Sequence, residues 1–205
     1  HICGLPFFDP AFREGVQIDV YSPFEKAEDF LALQMSAVQL FPVLWKDFSH
    51  NFKFHTIDTS ENYFIDGLNI RCCKMSHPGD SYAYSFVEDN KKVVYATDVE
   101  LLDLESLNKN EIEAVFKNAD VVVLDTQYTM EELYEKENWG HSAFCYAIDF
   151  AVSMNIKSVY LFHHEPTYDD KKINSILDAA KWYSSYISKN SVQVELAVEG
   201  LDVEI

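Results

Sequence analysis

The sequence predicts an α/β fold in a single domain that spans residues 1–205. The first observation is size, because 205 residues with 48% hydrophobic content can bury a sizeable core. The second is a β-hairpin pattern within residues 76–98. The third is the later half of the chain, where apolar helical patterns alternate with short apolar strands, an order typical of an α/β sheet.

The segments ahead of the hairpin are predicted from the spacing of their apolar residues. Residues 26–38 carry apolar side chains at helical spacing, which predicts a helix. The aromatic stretch at residues 41–54 has no regular period and predicts a packed loop. Strand patterns lie at residues 16–21, 52–58 and 63–75.

The hairpin brings two polar side chains together. Aromatic residues alternate with small ones between 82 and 86, residues 88–91 form a polar turn, and residues 93–96 form an apolar strand expected to be buried on both faces. Folding the two strands back on each other brings His77 near Asp98. A histidine and an aspartate at one sheet edge suit a metal ion. The alternative is a capped hairpin with a surface histidine and a turn aspartate.

Helices and strands alternate after Asp98. Helical patterns lie at residues 112–119, 144–152 and 173–187. Strand patterns lie at residues 121–125, 158–162 and 192–198.

Three polar residues follow apolar strands in this half of the chain, namely Asp98, Asp125 and His163. Open α/β sheets bind ligands at the carboxyl ends of their strands, so this edge is the predicted site. His141 lies near the start of the second helical pattern, where it acts on substrate or only caps the helix. Asp125 either supports a ligand residue or forms a turn.

Composition excludes several classes of function. The net charge of −18 repels a phosphate backbone and no basic patch offsets it, so we expect no nucleic-acid partner, whereas a small anion can still bind beside a local cation. The four cysteines form no CxxC pair, which favours a reducing compartment and a cytoplasmic location. No stretch resembles a signal peptide or a membrane span, so we expect no membrane partner.

Five ordered motifs resemble the metallo-β-lactamase fold, and within it the phosphodiesterase and ribonuclease Z-like branch. They are His-x-x-Gly-x-Pro-Phe-Phe at residues 1–8, Ser-His-Pro-Gly at 76–79, Tyr-Ala-Thr-Asp at 95–98, Trp-Gly-His-Ser at 139–142 and Leu-Phe-His-His-Glu-Pro at 161–166. The resemblance implies an αβ/βα sandwich with two mixed sheets between helices.

The resemblance also implies a role for each matching residue. His77 would bind a first metal ion, and His1 and His163 would bind a second. Asp98 would bridge the two ions, and His141 would act as a general acid, so that His141 and Asp98 would be the catalytic residues. These nitrogen and oxygen donors suit Zn or Mn. The adjacent His164 is the alternative to His163 as a ligand.

The activity that the resemblance implies is metal-dependent hydrolysis of a small phosphodiester by a metal-bound hydroxide. The same site suits a carboxylic ester, a thioester or a lactam as alternative substrates. Processing of RNA ends is disfavoured by the charge of −18. From a different class, the chain would be a non-catalytic or truncated relative that acts through an interface.

The sequence departs from the family pattern in two places. The family's upstream His-x-His-x-Asp is absent because the sequence begins at His1. We therefore expect an incomplete N-terminal part, one bound metal ion or none, and little activity in this chain alone. We also expect an open sheet edge that a second copy, a loop or a crystal neighbour covers. Asp80 stands where a second glycine is expected, where it would bind metal, repel an anion or shape a turn.

Overall fold

The computed structural model describes residues 2–102, 107–189 and 191–205. The described residues separate into two units, one that ends at Asp58 and one that begins at Thr59. The expectation of a single domain stays a prediction, and the predicted ligand His1 lies outside the described residues. Within the described part of the chain, none of the helices combines the length and apolar character that crossing a bilayer requires.

The first unit contains a two-stranded parallel sheet and a small apolar cluster. Strand β1 is Ile18–Ser22 and strand β2 is Phe52–Thr56, and the pair is in register from Ile18 opposite Phe52. Helix α1 is Ala27–Gln34 and helix α2 is Trp45–Phe48, with 3-10 turns at Leu5–Phe7, Asp9–Phe12 and Ser49–Asn51. The buried members of the cluster are Ala11, Leu31, Met35, Trp45 and Phe48.

Two expectations for this unit need correction. The helix predicted over residues 26–38 ends at Gln34, because Met35 leaves the helical conformation and turns its backbone toward Trp45. The predicted loop at residues 41–54 is packed, as expected, but it contains helix α2. That helix is only one turn long, too short for a helical period to appear in the sequence.

The second unit is built on a seven-stranded mixed sheet in the order β3-β4-β5-β6-β7-β8-β9. Strands β3 to β6 are antiparallel neighbours and strands β6 to β9 are parallel ones. The strands are β3 Tyr63–Ile65, β4 Leu68–Met75, β5 Ser81–Glu88, β6 Lys91–Ala96, β7 Val121–Asp125, β8 Ser158–Phe162 and β9 Gln193–Leu196. The helices are α3 Lys109–Phe116, α4 Met130–Glu135, α5 Phe144–Ser153 and α6 Asp170–Ile187.

The α/β prediction is confirmed, and the two predicted mixed sheets are found only in part. The seven-stranded sheet is mixed, whereas β1 and β2 form a purely parallel pair. The edge strands of the large sheet are β3 and β9. That a second copy covers an open edge stays a prediction.

The predicted hairpin forms between β5 and β6. Asp89 and Asn90 both adopt positive φ angles, 46° and 64°, as a tight hairpin turn between right-twisted strands requires. Burial of β6 on both faces was wrong. Val94 is fully buried, but Tyr95 is 45% exposed, because only one face of the strand belongs to the apolar core.

The strand predicted over residues 63–75 is two strands, β3 and β4. Asp66 and Gly67 join them in a tight turn with positive φ angles of 49° and 89°. An Asp-Gly pair between alternating apolar residues is a strong hairpin signal that the sequence did contain. Helix α4 was also missed, although Thr129 and Glu132 form a capping box at its start.

One apolar core supports the carboxyl ends of the parallel strands. It contains side chains of β4 to β9 and of helices α3, α5 and α6. Its largest fully buried members include Phe116, Leu124, Ile148 and Leu161. Truncating a buried phenylalanine such as Phe116 to alanine typically costs about 3–5 kcal/mol, so this core is the rigid base on which the strand ends are held.

Candidate metal centre

Three adjacent parallel strands deliver polar side chains to one edge of the sheet. Asp98 lies two residues beyond β6, Asp125 is the last residue of β7, and His163 directly follows β8. Because β6, β7 and β8 are neighbours and run in the same direction, their carboxyl ends meet. The structure therefore brings these three predicted residues together.

Asp98 is the centre of the cluster. Its Oδ1 atom lies 3.2 Å from Nε2 of His163 and 3.9 Å from Nε2 of His77. The hairpin carries His77 to this point, since it precedes β5 and Asp98 follows β6. One carboxylate oxygen thus faces two imidazole nitrogens, as the sequence analysis expected of a metal-binding group.

Charge and burial act in opposite senses at this pair. Burial raises the pKa of the Asp98 carboxyl, but hydrogen bonds from His163 and Thr97 and the histidine charges leave that pKa below its ordinary value. The Asp98 hydrogen bond raises the pKa of His163 above its ordinary value, although burial acts against it. The site therefore favours a positive charge beside the Asp98 carboxylate, which a proton or a divalent cation can supply.

His141 lies beside His77 and His163 and is held by a buried carboxylate. Its Nδ1 atom lies 2.7 Å from Oδ2 of Asp125, and Asp125 is fully buried. The His141 ring centroid is 5.4 Å from that of His77 and 4.9 Å from that of His163. An Asp125 hydrogen bond at Nδ1 leaves Nε2 as the ring atom available for substrate or metal.

Asp125 is itself fixed by the backbone of three segments. Its Oδ1 accepts the N–H groups of Gln127 at 3.1 Å and Ser142 at 3.2 Å, and its Oδ2 accepts the N–H of Val99 at 3.3 Å. Of the two alternatives left open by the sequence, the geometry favours a supporting residue that orients His141.

The possible ligand atoms form two overlapping groups. Those of His77, Asp98 and His141 lie within 4.8 Å of one another, and so do those of Asp125, His141 and His163. His141 belongs to both groups, so the geometry also permits it to bind metal. The roles that the resemblance implies for these residues stay predictions.

Two of the candidate ligands have an unusual backbone conformation. Asp98 and His163 both have φ near +58°, in the left-handed region. Such a residue typically costs about 1–3 kcal/mol and persists where the surroundings fix it, often at functional sites. Part of that support is the hydroxyl of Ser81, which donates to the backbone carbonyl of Asp98 at 2.6 Å. Sequence patterns carry no signal for this feature beyond the residue types.

The structure also distinguishes two alternatives that the sequence left open. Asp80 has a φ of 68°, donates its N–H to the carbonyl of His77 at 3.0 Å and pairs with Lys74 at 2.6 Å. It therefore shapes a turn. The ring of His163 lies beside the Asp98 carboxylate, with Nε2 3.2 Å from Oδ1, so the geometry favours His163 over His164 as the ligand.

Gly140 fits against the imidazole of His77. Its φ is +89°, and a Cβ atom at this position would lie 2.3 Å from Cδ2 of His77 and 2.6 Å from Cδ of Pro78. No side chain can occupy that space without moving His77. This glycine is part of the Trp-Gly-His-Ser motif, but the motif does not predict the contact with His77, because the contact joins segments far apart in the chain.

A cation lies near the site on the side of His141. The Nζ atom of Lys136 is 4.1 Å from the ring centroid of Tyr128 and 3.7 Å from Oε2 of Glu165. The Tyr128 ring is in turn 5.9 Å from the His141 ring. Sequence reasoning missed Lys136, since a single lysine in a polar segment carries no pattern.

The strand-end cluster of imidazole and carboxylate groups suits a divalent metal ion, and comparison with known proteins identifies the family. Residues 1–164 match the model of the beta-lactamase superfamily domain. The chain belongs to this family, which confirms the predicted resemblance at that level. A comparison with curated protein sequences finds no match.

Solved structures share the fold at low sequence identity. Unliganded yeast PDE1 has a TM-score of 0.75 at 16% identity and is matched over 98% of this chain and 64% of its own. The metallo-beta-lactamase fold protein YhfI from Bacillus subtilis has a TM-score of 0.65 at 14% identity, over 98% and 70%. The short form of human tRNase Z (ELAC1) has 0.65 at 17%, over 100% and 74%.

Proposed function

We propose that this protein is a metal-dependent hydrolase of the phosphodiesterase and ribonuclease Z-like branch, acting on a small phosphodiester. The observation that carries the proposal is the juxtaposition at Asp98. Its carboxylate faces His77 and His163, while the hydrogen-bonded His141–Asp125 pair lies beside these two histidines. Family membership supports the choice of hydrolysis.

The residues present fit a divalent cation. The donors are imidazole nitrogens and a carboxylate oxygen, of which those of His77, Asp98 and His141 lie within 4.8 Å of one another, and they suit Zn or Mn. Following the resemblance, Asp98 would hold a first ion together with His77 and a second ion together with His163 and His1. When bound, a divalent cation polarises a phosphoryl oxygen and lowers the pKa of coordinated water.

His141 is the residue that we assign to proton transfer. Because Asp125 holds Nδ1, the Nε2 atom can carry a proton at a fixed position and deliver it to the leaving oxygen. General acid catalysis of this kind typically contributes about 10²–10⁴-fold to the rate.

The preference for a small anion has two supports. Lys136 lies over Tyr128, whose ring is 5.9 Å from the His141 ring, and there its positive charge, partly neutralised by Glu165 at 3.7 Å, would attract a substrate phosphate. The net charge of −18 opposes a long nucleic acid, although human tRNase Z is among the structural neighbours. A cytoplasmic location and a homo-oligomer remain predictions.

The test combines metal binding with a panel of substrates. Zn²⁺ and Mn²⁺ are titrated calorimetrically, and hydrolysis of bis-(4-nitrophenyl) phosphate is compared with that of 4-nitrophenyl acetate and a chromogenic lactam. Both the chain itself and the chain carrying an upstream His-x-His-x-Asp segment are measured, because the resemblance assigns further ligands to that segment. Faster cleavage of the ester or the lactam would replace the phosphodiester assignment, and no metal binding in either form would refute the proposal.

The His141→Ala variant tests its role within this proposal. Turnover of phosphodiesters with poor leaving groups should fall by about 10²–10⁴-fold, while activated leaving groups and metal content change little. Loss of bound metal would instead identify His141 as a ligand.

A further inference from the structure

We propose that Glu100 is a positioning residue that holds the His141 loop, residues 136–143, against the candidate metal centre. The inference rests on the proposed function for what His141 does, but its geometry stands independently. Glu100 is only 6% exposed, which is unusual for a glutamate.

Both oxygens of the Glu100 carboxylate accept hydrogen bonds from the His141 loop. Its Oε1 accepts the backbone N–H of Asn138 at 3.0 Å, and its Oε2 accepts that of Gly140 at 3.2 Å. The two donors lie 38 and 40 residues further along the chain. Hydrogen bonds from backbone N–H groups to a buried carboxylate are charge-assisted, so they hold this loop more firmly than neutral bonds would.

The backbone around Glu100 is joined to the segment that carries His77. The N–H of Glu100 donates to the carbonyl of Ser76 at 2.8 Å, one residue ahead of His77. Glu100 also lies two residues after Asp98. The segment that carries Asp98 and Glu100 therefore binds Ser76, the neighbour of His77, and Gly140, the neighbour of His141.

Ser142 ties the far end of the loop to the same segment. Its hydroxyl donates to the carbonyl of Val99 at 2.6 Å and accepts the N–H of Leu101 at 3.0 Å. The loop is thus fixed on both sides of His141, by Glu100 before it and by Ser142 after it. Removing the Glu100 bonds would free the side of the loop that precedes His141.

This arrangement predicts which property Glu100 controls. The proposed ligands His77, Asp98 and His163 lie on other segments, so loss of the Glu100 bonds leaves them in place. His141 would lose its fixed position relative to Asp125. Glu100 therefore acts on the orientation of the general acid rather than on the supply of metal ligands.

The test replaces Glu100 with glutamine and uses Glu132→Gln as a matched control. The Glu132 carboxylate also accepts a backbone N–H, that of Thr129 at 2.9 Å, and receives the hydroxyl of Tyr168, but it binds nothing between residues 136 and 143 among the described contacts. A glutamine at position 100 would place an N–H donor against one of the two loop donors.

Two readouts need no enzymatic activity. Amide hydrogen exchange at Asn138 and Gly140 should accelerate by about 10-fold or more in Glu100→Gln and stay unchanged in the control. The NMR signal of the His141 ring proton shared with Asp125 should broaden or vanish only in Glu100→Gln. Zn²⁺ affinity should change by less than about 3-fold, far below the 10–100-fold typical of a residue that orients a ligand.

A kinetic readout connects Glu100 to His141. Turnover of a poor phosphodiester leaving group should fall by about 10–100-fold in Glu100→Gln, and the double variant with His141→Ala should be no slower than His141→Ala alone. Absence of turnover even with the upstream His-x-His-x-Asp segment added would count against the proposed function but leaves the exchange and NMR comparisons decisive.

Unchanged exchange and an unchanged His141 signal in Glu100→Gln would overturn the proposal, as would loss of Zn²⁺ binding with the loop intact. If that variant does not fold, Glu100→Asp keeps the charge and withdraws the carboxylate by about one carbon–carbon bond, and it should show the same losses. In the unmodified protein, rapid exchange of the Asn138 and Gly140 amides would also overturn it.

Discussion

Replacing Gly140 with alanine should weaken metal binding although none of the proposed ligands is replaced. The added Cβ atom would lie 2.3 Å from Cδ2 of His77, whereas ordinary contacts of a Cβ atom begin near 3.4 Å. Either the His77 ring or the Gly140 backbone must move by about 1 Å to relieve this overlap. Metal sites tolerate a change of only about 0.2 Å in ligand distance, so a displaced His77 would bind the ion less tightly.

The expected magnitude has two parts. Alanine at a φ of +89° costs about 1–3 kcal/mol in backbone strain, which lowers the stability of the fold. Displacing His77 adds a loss of metal affinity of about 10–100-fold, the range seen when the support of a ligand is removed. At about 1.4 kcal/mol per tenfold change, that loss corresponds to about 1.4–2.7 kcal/mol of binding free energy.

The two parts separate with a matched control, Gly67→Ala. Gly67 also has a φ of +89°, but a Cβ atom there meets nothing within 4 Å. Both variants should therefore lose similar stability in urea unfolding, while only Gly140→Ala loses affinity in a Zn²⁺ titration. Equal Zn²⁺ affinity in the two variants would refute the assignment of His77 as a ligand held by this contact.

Three further predictions follow from named contacts. Asp125→Asn should lower turnover of poor leaving groups by about 10²–10⁴-fold at unchanged metal content, because the amide no longer fixes His141 with Nδ1 as donor; a kcat measured with metal analysis checks this. Lys136→Gln should raise KM for anionic phosphodiesters by about 10-fold and leave KM for a neutral ester unchanged, as steady-state kinetics on both would show. Asp120→Asn should destabilise the protein by about 1 kcal/mol at pH 7 in urea unfolding, because its carboxylate accepts from Lys157 at 2.7 Å. That Lys157 bond lowers the pKa of Asp120 below its unfolded value of about 3.9, so the stabilisation is present above this pH, and the difference between the two proteins should close as the pH falls through the folded pKa.

Most of the local elements, and the positions of the site residues along them, could be predicted from the sequence. Strands β5 to β8 and helix α6 follow from apolar periodicity, which is a property of neighbouring residues. Asp98, Asp125 and His163 follow apolar strand patterns in the sequence. They were expected to lie together because parallel strands share one carboxyl edge. The Asp-Gly turn at Asp66 was also readable from the sequence and was overlooked.

How these residues are held could not be predicted from the sequence, because it depends on the tertiary structure. Several features depend on contacts between segments that are distant in sequence. They are the burial of β6 on one face, the bond of Asp125 to His141, the bond of Glu100 to the N–H of Gly140 and the packing of Gly140 on His77. No local period encodes such pairs, because the groups that meet depend on strand order and on the paths of the loops. The physical reason is that periodicity records which face of an element is apolar, whereas a site depends on which elements meet at its edge.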